Sequence, residues 1–408
     1  MLNLVRATVD LMCSIQQRRR VHLLILIWAL LFGGLIALDA LFLRDVLDTS
    51  FGEVLDISYY RYRTESVLDG LWLYRDIPCE SPPLIVYLMI PAQLANGGNL
   101  AYQVWFSIFV LLTSLTFYLA LRRYDDTKAF LAALVFMFVP VGTVETVFGI
   151  QDEAIVIWLF VLSIFLGVIG MLRWSALATT IGIWTKLINA LYFPFLLRAG
   201  RGGREKMLLF GIVVGLSLAV ALPFLILFPE DFLRFPLYYF LSSGSEALPT
   251  GGLSIWDFLR MGGLDLPSWF FLALIVSALV LAYYFGLKRE RTLLEGMLIV
   301  LTAFVIVYSR SAAGYFMLPI SLLLLWGVED LRLVVRCMVL YVPLILSGLF
   351  STNNAYREPF VDWEWGWAVG AILQLIVILI LLDATRVALG RKNFVDRAIA
   401  RELGESGR

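Results

Sequence analysis

The hydrophobic positions of this chain occur in long uninterrupted runs, and the short segments between them carry most of the charge. Of the 408 residues, 61% are hydrophobic and only 16% are charged, whereas soluble domains carry about 25% charged residues. The runs predict an all-α polytopic membrane protein with about ten to twelve transmembrane helices, since a helix needs about 20 apolar residues to cross a bilayer. Residues 1–387 are expected to form a single domain, with no large soluble domain.

Several runs predict single spans because each is apolar along its length and ends at polar residues. These predicted spans are 22–43, 101–121, 129–148, 152–172, 207–228, 269–287, 333–350 and 366–387. Two further segments, 175–197 and 294–328, have basic loops at both ends, which implies an even number of crossings. We expect each to be a helix pair, turning near residues 182–186 and 309–314. The short arms of the first pair predict a re-entrant hairpin.

Lysine and arginine are concentrated in alternate loops between the predicted spans. Because cytoplasmic loops are enriched in these residues, the bias places both termini in the cytoplasm and predicts a polar, frayed tail at 388–408. It also predicts two large external loops, at 44–100 and 229–268. Residues 83–95 are apolar but too short to cross, so we expect a juxtamembrane helix there, lying along the outer surface. The plasma or cell membrane is the expected location.

The ionisable residues exclude some classes of site. The formal net charge is zero, so nothing in the charge balance indicates a nucleic-acid partner. The three cysteines are too few for a disulfide framework. A single histidine, His22, excludes a multi-histidine metal site. The loops also leave no room for a soluble nucleotide-binding domain, which disfavours a nucleotide-sugar substrate.

A polar, acid-rich stretch, residues 56–84, directly follows the first predicted span. Asp56 precedes an aromatic and basic run at 59–63. On a helix, Asp56 and Tyr60 would share a face at i,i+4. A carboxylate beside aromatic rings and lipid is poorly hydrated, which favours its use as a general base. The alternative is that Asp56 pairs with a nearby arginine and only shapes the loop.

An ordered set of residues runs through this loop: Asp56, Tyr60, Gly70, Tyr74-Arg75-Asp76, Glu80 and Pro82-Pro83-Leu84. The set resembles the first luminal or periplasmic loop of the GT-C superfamily of polyprenyl-phosphate-sugar-dependent glycosyltransferases. The closest likeness is to its mannosyltransferase-like branch, whose loop is roughly D-x-x-x-Y, G-x-x-Y-R-D and E-Y-P-P-L. Ser81 stands here where that branch usually has tyrosine. The resemblance implies a GT-C-like fold with a large first external loop.

Two further segments extend the resemblance. GIQDEA at 149–154 places Gln151 and Asp152 at the outer start of a span, similar to the family's polar motif near the donor phosphate or acceptor. Acids favoured at a helix N-terminus are the alternative. IGIWTKLINALYFP at 181–194 resembles the family's G-x-x-x-K-x-x-x-x-x-x-P helix pair. Lys186 is a charge deep in an apolar segment, where function is the default expectation, although a lysine can also extend to interfacial water.

A third segment, VYSRSAAGYFMLPI at 307–320, resembles a family motif that is usually S-P-Q-Y followed by a proline. Arg310 and Gly314 replace the usual proline and glutamine, so contacts that the family makes through that glutamine are not expected here. Arg310 is a cation at a predicted helix turn on the acidic side of the membrane. Its guanidinium could bind phosphate bidentately, and the alternative is an ion pair with a loop carboxylate.

Together these residues give a hypothesis: transfer of a sugar, expected to be mannose, from a polyprenyl or dolichyl monophosphate donor at the external face. Asp56 is expected to act as general base, with inversion at the anomeric carbon. The residues expected to bind the donor phosphate are Arg310, Lys186 and Arg63. Those expected to bind the acceptor or sugar, or else a divalent cation such as Mg²⁺ or Mn²⁺, are Asp76, Glu80, Gln151, Asp152, Tyr60 and Tyr315.

The sequence leaves three points open. The acceptor could be a lipid, a glycan or a protein. A membrane transporter or lipid flippase is the rival class, because Lys186 and Asp39 are ionisable residues in apolar segments. The two helix pairs are not evident repeats, however, and most carboxylates fall in a predicted external loop. A catalytically inactive GT-C relative is the third possibility, since the motif at 309–315 is altered.

Overall fold

The computed structural model describes residues 17–46, 55–234, 251–351 and 364–405. Helix dominates these residues, so the hydrophobic runs are confirmed as helices of an all-α polytopic membrane protein. Some predicted segments lie outside the described residues: 47–54 and 235–250 of the two predicted external loops, and 406–408 of the predicted tail.

The first half of the chain contains ten helices within the described ranges. They are α1 Gln17–Leu38, which continues into a π-helical turn at Asp39–Leu43, α2 Leu55–Leu68, α3 Pro83–Leu94, α4 Asn99–Leu121, α5 Asp126–Met137, α6 Pro140–Val147, α7 Glu153–Val168, α8 Leu172–Thr185, α9 Phe193–Ala199, which follows a 3-10 turn at Leu187–Tyr192, and α10 Gly202–Leu227. The helices α4, α5, α7 and α8 pack on one another, and large aromatic side chains such as Phe117 and Phe165 fill the space between them.

The second half adds eight helices and one short strand pair within the described ranges. They are β1 Gly251–Gly252, α11 Ile255–Met261, α12 Ser268–Gly286, α13 Leu293–Val307, β2 Arg310–Ser311, α14 Met317–Gly327, which follows a 3-10 turn at Ala313–Phe316, α15 Leu331–Val339, α16 Tyr341–Gly348, α17 Gly366–Leu389 and α18 Phe394–Glu405. The strands β1 and β2 pair in parallel over two residues. Helix α14 is buried along its whole length, so it forms the centre of this half.

Six helical segments in the described ranges are long and apolar enough to cross a membrane. They are Arg19–Val46, Asn99–Leu121, Gly202–Leu227, Ser268–Gly286, Leu331–Gly348 and Gly366–Glu402. The pair α5 and α6, bent by 44°, would be a seventh span. The other predicted crossings correspond to the shorter apolar helical segments Glu153–Val168, Leu187–Ala199, Leu293–Val307 and Ala313–Gly327 and to α8, which has 14 residues. A multi-pass architecture is therefore confirmed, whereas the described helices of full length are fewer than the predicted crossings.

Both segments that were predicted to turn back are broken where expected. Helix α8 ends at Thr185, and Lys186 has extended backbone, with φ −156° and ψ 127°. The carbonyl of Lys186 accepts a hydrogen bond from Asn189 Nδ2 at 3.3 Å, which stabilises the break. The second break separates the end of α13 at Val307 from the 3-10 turn at Ala313–Phe316. Each break places a cationic residue, Lys186 or Arg310, outside a regular helix.

The helix predicted at 83–95 is present as α3, which begins after Pro82 and packs against α2 and α4. Trp105 Nε1 of α4 donates to the carbonyl of Leu88 at 2.8 Å and fixes the contact. Proline suits the first turn of a helix because its missing N–H would have no partner there. The helices of the predicted first external loop, α2 and α3, are thus part of the packed structure.

The prediction that residues 388–408 fray is wrong for α18. Asn393 Oδ1 accepts from the backbone N–H of Asp396 at 2.9 Å and caps the helix start. Phe394 and Val395 are buried, so the segment has an apolar face that its polar composition obscures. Arg397 on the other face pairs with Glu329 in the α14–α15 connection. The helix is therefore docked by both packing and ion pairs.

Candidate functional site

Asp56 and Gln151 come from different parts of the chain and meet in the structure. Asp56 lies in the first turn of α2 with an exposed side chain. Gln151 Nε2 donates to Asp56 Oδ2 at 2.9 Å. The amide of a glutamine donates to a carboxylate without neutralising it. The contact therefore orients the Asp56 carboxylate and leaves its negative charge in place.

Lys186 is held by two carboxylates at the start of α7. Its Nζ lies 3.2 Å from Asp152 Oδ1 and 2.7 Å from Glu153 Oε1. It also lies 5.1 Å from the centre of the Tyr315 ring, within cation–π distance. Lys186 is thus paired inside the protein. Glu153 was not among the predicted binding residues, although its place beside Asp152 in GIQDEA was a usable signal.

Gly314 packs directly against Glu153. A Cβ atom built on Gly314 would lie 2.4 Å from Glu153 Cγ and 2.7 Å from its Cβ, which is closer than atoms approach in proteins. The position that is usually glutamine in the resembled motif therefore has no room for a side chain here. The 3-10 turn at Ala313–Phe316 uses this close approach to bring Tyr315 over Lys186.

Tyr60 lies near Asp56, Asp152 and Lys186, and it packs on Phe106 in an edge-to-face contact. Burial raises the pKa of the Tyr60 hydroxyl well above its ordinary value, and the negative charges of Asp152 and Asp56 raise it further. The hydroxyl is therefore neutral at physiological pH. It can take part in hydrogen bonds, but it does not act as a base there.

A cavity of about 290 Å³ adjoins Lys186. Its polar lining comes from Lys186, Arg310, Tyr315, Tyr308 and the serines Ser81, Ser268 and Ser309. The remaining lining is apolar: Leu187, Ile188, Ala190, Leu191, Phe271, Leu272, Ile275, Val276, Leu279, Phe304 and Pro82. Helix α12, which forms one wall, exposes other apolar side chains such as Val280 and Leu281 on its surface. The cavity thus combines two cations with an apolar wall.

Arg310 is held in this cavity by the backbone on both sides of it. Ser254 Oγ donates to the carbonyl of Ser309 at 2.8 Å, and the N–H of Leu253 donates to the carbonyl of Ser311 at 2.7 Å. Gly252 has φ +65°, and a Cβ there would lie 2.4 Å from the Ser311 oxygen. Only glycine fits at such a position, so residues 252–254 of the predicted second external loop fix the direction of the Arg310 backbone.

Three predicted site residues lie elsewhere in the described structure. Arg63 pairs with Glu80 at 2.6 Å. Asp76 is exposed and accepts from Arg75 at 2.6 Å and from the Trp72 N–H at 2.9 Å. These hydrogen bonds, the Arg75 bond foremost, hold the pKa of Asp76 below its usual value. The cavity lining includes Ser81 and Pro82 of this loop, but not Arg63, Asp76 or Glu80.

The carboxylates of this region do not form a ligand set for a metal ion. Within the described ranges, no group of three His, Cys, Asp or Glu side chains is placed to hold one. Asp152, Glu80 and Asp76 each accept from a cation of the chain instead: Lys186, Arg63 and Arg75. Hard cations such as Mg²⁺ need several oxygen ligands, so the residues present do not fit the divalent cation that the sequence left open.

Comparison with known proteins adds no assignment to this geometry. No protein-family model matches the chain, and no curated protein sequence matches it. The site itself combines a carboxylate oriented by an amide, a lysine held by two acids, and an amphipathic cavity that contains an arginine.

Proposed function

We propose that the protein is an integral-membrane glycosyltransferase with a GT-C-like fold. It transfers a sugar, mannose as the first candidate, from polyprenyl or dolichyl monophosphate to an acceptor hydroxyl. The observation that carries the proposal is the position of Lys186, which lines the cavity and forms an ion pair with Asp152. Asp152 is the neighbour of Gln151, and Gln151 donates a hydrogen bond to Asp56. A base and a phosphate-binding surface would then lie on either side of one reacting centre.

The cavity fits a lipid phosphate better than it fits a soluble substrate. The donor has a singly charged phosphodiester joined to an isoprenoid chain, and its leaving phosphate carries a second negative charge, so the lipid needs cations beside an apolar wall. Arg310 and Lys186 supply the cations, and α12 and the turn at Leu187–Tyr192 supply the wall. The volume of about 290 Å³ is at the lower end for ligand pockets. It has room for the phosphate and the first isoprene units, while the rest of the chain lies in the bilayer.

The proposed reaction is a single inverting displacement. The acceptor oxygen forms a bond to the anomeric carbon as the bond from that carbon to the phosphate oxygen breaks. Asp56 takes the hydroxyl proton as general base, and Gln151 holds its carboxylate towards the acceptor. The electron pair of the broken bond leaves on the polyprenyl phosphate, whose charge Arg310 and Lys186 stabilise.

The positions of the other predicted residues determine the roles proposed for them. Gln151, Tyr60 and Tyr315 lie at or beside Lys186 and its two carboxylates, and they are proposed to contact acceptor or sugar hydroxyls. Arg63 is proposed to act on the donor only through the loop, because Arg63, unlike Lys186, does not line the cavity and its guanidinium is paired with Glu80. Asp76 stabilises the turn at 72–77. The acceptor, whether lipid, glycan or protein, is left open by this geometry.

The proposed setting follows from the distribution of charge. With both termini and the basic loops in the cytoplasm of a cell-membrane protein, Asp56 and Arg310 fall on the external side. Donor and acceptor would both reach the site from that side. Attachment of the donor to lipid then supplies the sugar where soluble nucleotide sugars are absent.

Transport is the second candidate, and the buried pair of Asp39 and Arg44 inside the first candidate span favours it. Ionisable residues at this depth mark ion or substrate pathways in transporters. An inactive relative is the third, because Gly314 removes the side chain that the resembled motif carries. Both alternatives predict that the purified protein transfers no sugar.

Reconstitution separates these candidates. The purified protein in lipid nanodiscs is mixed with polyprenyl-phosphate mannose labelled in the sugar and with a membrane lipid and glycan extract as acceptor. We expect label to move to an acceptor with release of polyprenyl phosphate. A parallel sample of the protein is reconstituted in sealed vesicles that carry the labelled lipid in one leaflet. Movement of that lipid to the other leaflet, with no transfer of label in nanodiscs, would contradict the proposal in favour of transport. Mass analysis of surface glycans after gene deletion then identifies the acceptor.

A further inference from the structure

A charged pair lies inside the first candidate span. Asp39 is 1% exposed, and Arg44 donates to its Oδ2 from Nε at 3.0 Å and from Nη2 at 2.8 Å. Asp39 Oδ1 is buried and has no hydrogen-bond partner in the described part of the protein. Charges in membrane spans are costly, and a buried ion pair is weak evidence for stability. The pair therefore calls for a role other than stabilising the fold.

The pair extends to the end of α6 through two hydrogen bonds to backbone carbonyls. Gln103 of α4 donates from Nε2 to Asp39 Oδ2 at 2.5 Å and to the carbonyl of Val147 at 2.8 Å. Arg44 donates from Nη2 to the carbonyl of Phe148 at 3.1 Å. Two side chains, Gln103 and Arg44, thus hold two consecutive carbonyls at the last residues before the GIQDEA segment, and Asp39 accepts hydrogen bonds from both of them.

The backbone that follows these carbonyls is in a conformation that it would not adopt alone. Ile150 is buried and has φ +47°, a left-handed conformation that is a clear outlier for a β-branched residue. Such outliers persist only where the surroundings impose them, and they are common at functional sites. The next residues along the chain are Gln151, which contacts Asp56, and Asp152, which contacts Lys186.

We propose that Asp39, Arg44 and Gln103 form an intramembrane positioning network that fixes the turn at 149–152. The inference rests on the proposed function, because it takes Asp56 and Lys186 as parts of the reacting site. The three residues touch neither donor nor acceptor. They act by holding the carbonyls of Val147 and Phe148, so that Gln151 stays against Asp56 and Asp152 stays against Lys186.

The test compares two buried glutamines. Gln103→Leu removes both of its hydrogen bonds. Gln374→Leu is the matched control, because Gln374 is equally buried in α17 and donates to Ser347 Oγ at 2.7 Å. The readouts are amide hydrogen exchange at 149–153 and steady-state transfer from polyprenyl-phosphate mannose. We expect Gln103→Leu alone to speed exchange in this turn and to lower kcat about 10- to 100-fold, with little change in donor KM.

A second variant covers the case in which Gln103→Leu does not fold. Arg44→Lys keeps the positive charge beside Asp39 but lacks the second nitrogen that reaches Phe148. It should fold and show the same faster exchange at 149–153 with a smaller loss of kcat. Unchanged exchange in the turn would overturn the positioning network, whatever the activity. Faster exchange in a protein whose wild type transfers no sugar would uphold the network and reject the proposed function.

Discussion

Lys186 donates to Glu153 over 2.7 Å at the point where the helix pair at 175–197 breaks. The two side chains have exposed fractions of only 21% and 6%. Asp152 provides a second carboxylate at 3.2 Å. This buried group of one cation and two acids joins the start of α7 to the cavity, so the fold and the proposed chemistry depend on the same contact.

Removal of Lys186 should destabilise the protein. Lys186→Met leaves Asp152 and Glu153 buried without their cation, and breaking a buried pair in this way costs about 3–5 kcal/mol. Thermal unfolding in detergent measures the loss. Adding Glu153→Gln to Lys186→Met should recover part of it, because one uncompensated charge is then gone. Lys288→Met is the control, since Lys288 lies over the rings of Tyr284 and Phe285. Equal stability of the Lys186→Met and Lys288→Met proteins would contradict the assignment.

Arg310→Ala should weaken donor binding. Hydrogen bonds to charged groups contribute about 1.5–3 kcal/mol, so the apparent Kd for polyprenyl phosphate should rise about 10- to 100-fold. Titration of the purified protein with a fluorescent polyprenyl phosphate measures this. Arg234→Ala is the control, because Arg234 is exposed and lies in the predicted second external loop. An unchanged Kd for Arg310→Ala would remove Arg310 from the phosphate-binding surface.

Gly314→Ala should cost stability because the new methyl group overlaps Glu153. Overpacking of this kind costs about 1–3 kcal/mol, and the ion pair with Lys186 prevents Glu153 from moving aside freely. Gly98→Ala is the control, since a Cβ there meets open space. The unfolding midpoints of the two variants, measured side by side, check the prediction. A Gly314→Ala protein as stable as Gly98→Ala would show that the turn at Ala313–Phe316 is not tightly packed on α7.

Tyr60 should make stability depend on alkaline pH. Its pKa in the folded protein is raised by burial and by nearby carboxylates, whereas in the unfolded chain it is near 10. The neutral phenol therefore stabilises the fold below pH ~10, and this contribution is lost as pH rises towards the folded-state pKa. Unfolding midpoints should fall less steeply above pH ~10 in Tyr60→Phe than in the wild type. Tyr59→Phe, at a position 54% exposed, should keep the wild-type slope. Identical slopes in all three proteins would contradict the buried position of Tyr60.

The fold class was predictable because hydrophobic runs and positive charges act locally. Run lengths and basic loops were enough to locate the breaks near Lys186 and Arg310. The tail was mispredicted because a few apolar residues, Phe394 and Val395, decide whether a polar helix docks. Composition averages hide such residues.

The partners of the site residues were not predictable in the same way. Charge type indicated that Arg63 and Asp76 could bind a substrate, but their partners are Glu80 and Arg75. The bond from Gln103 to Asp39 joins residues in different helices. Neither helical periodicity nor motif spacing specifies a pair so distant in sequence. Contacts of this kind follow from packing, which is decided only when the whole chain folds.

The most direct measurement concerns Asp56. Single-turnover transfer from labelled polyprenyl-phosphate mannose is followed for the wild type, Asp56→Asn and Asp69→Asn, the last being an exposed acid of the same loop. The asparagine has nearly the shape of the aspartate but cannot take the acceptor proton. We predict a loss of at least about 100-fold for Asp56→Asn, the lower range for a general base, with donor binding intact and Asp69→Asn unaffected. Near-normal transfer by a folded Asp56→Asn protein would contradict the account.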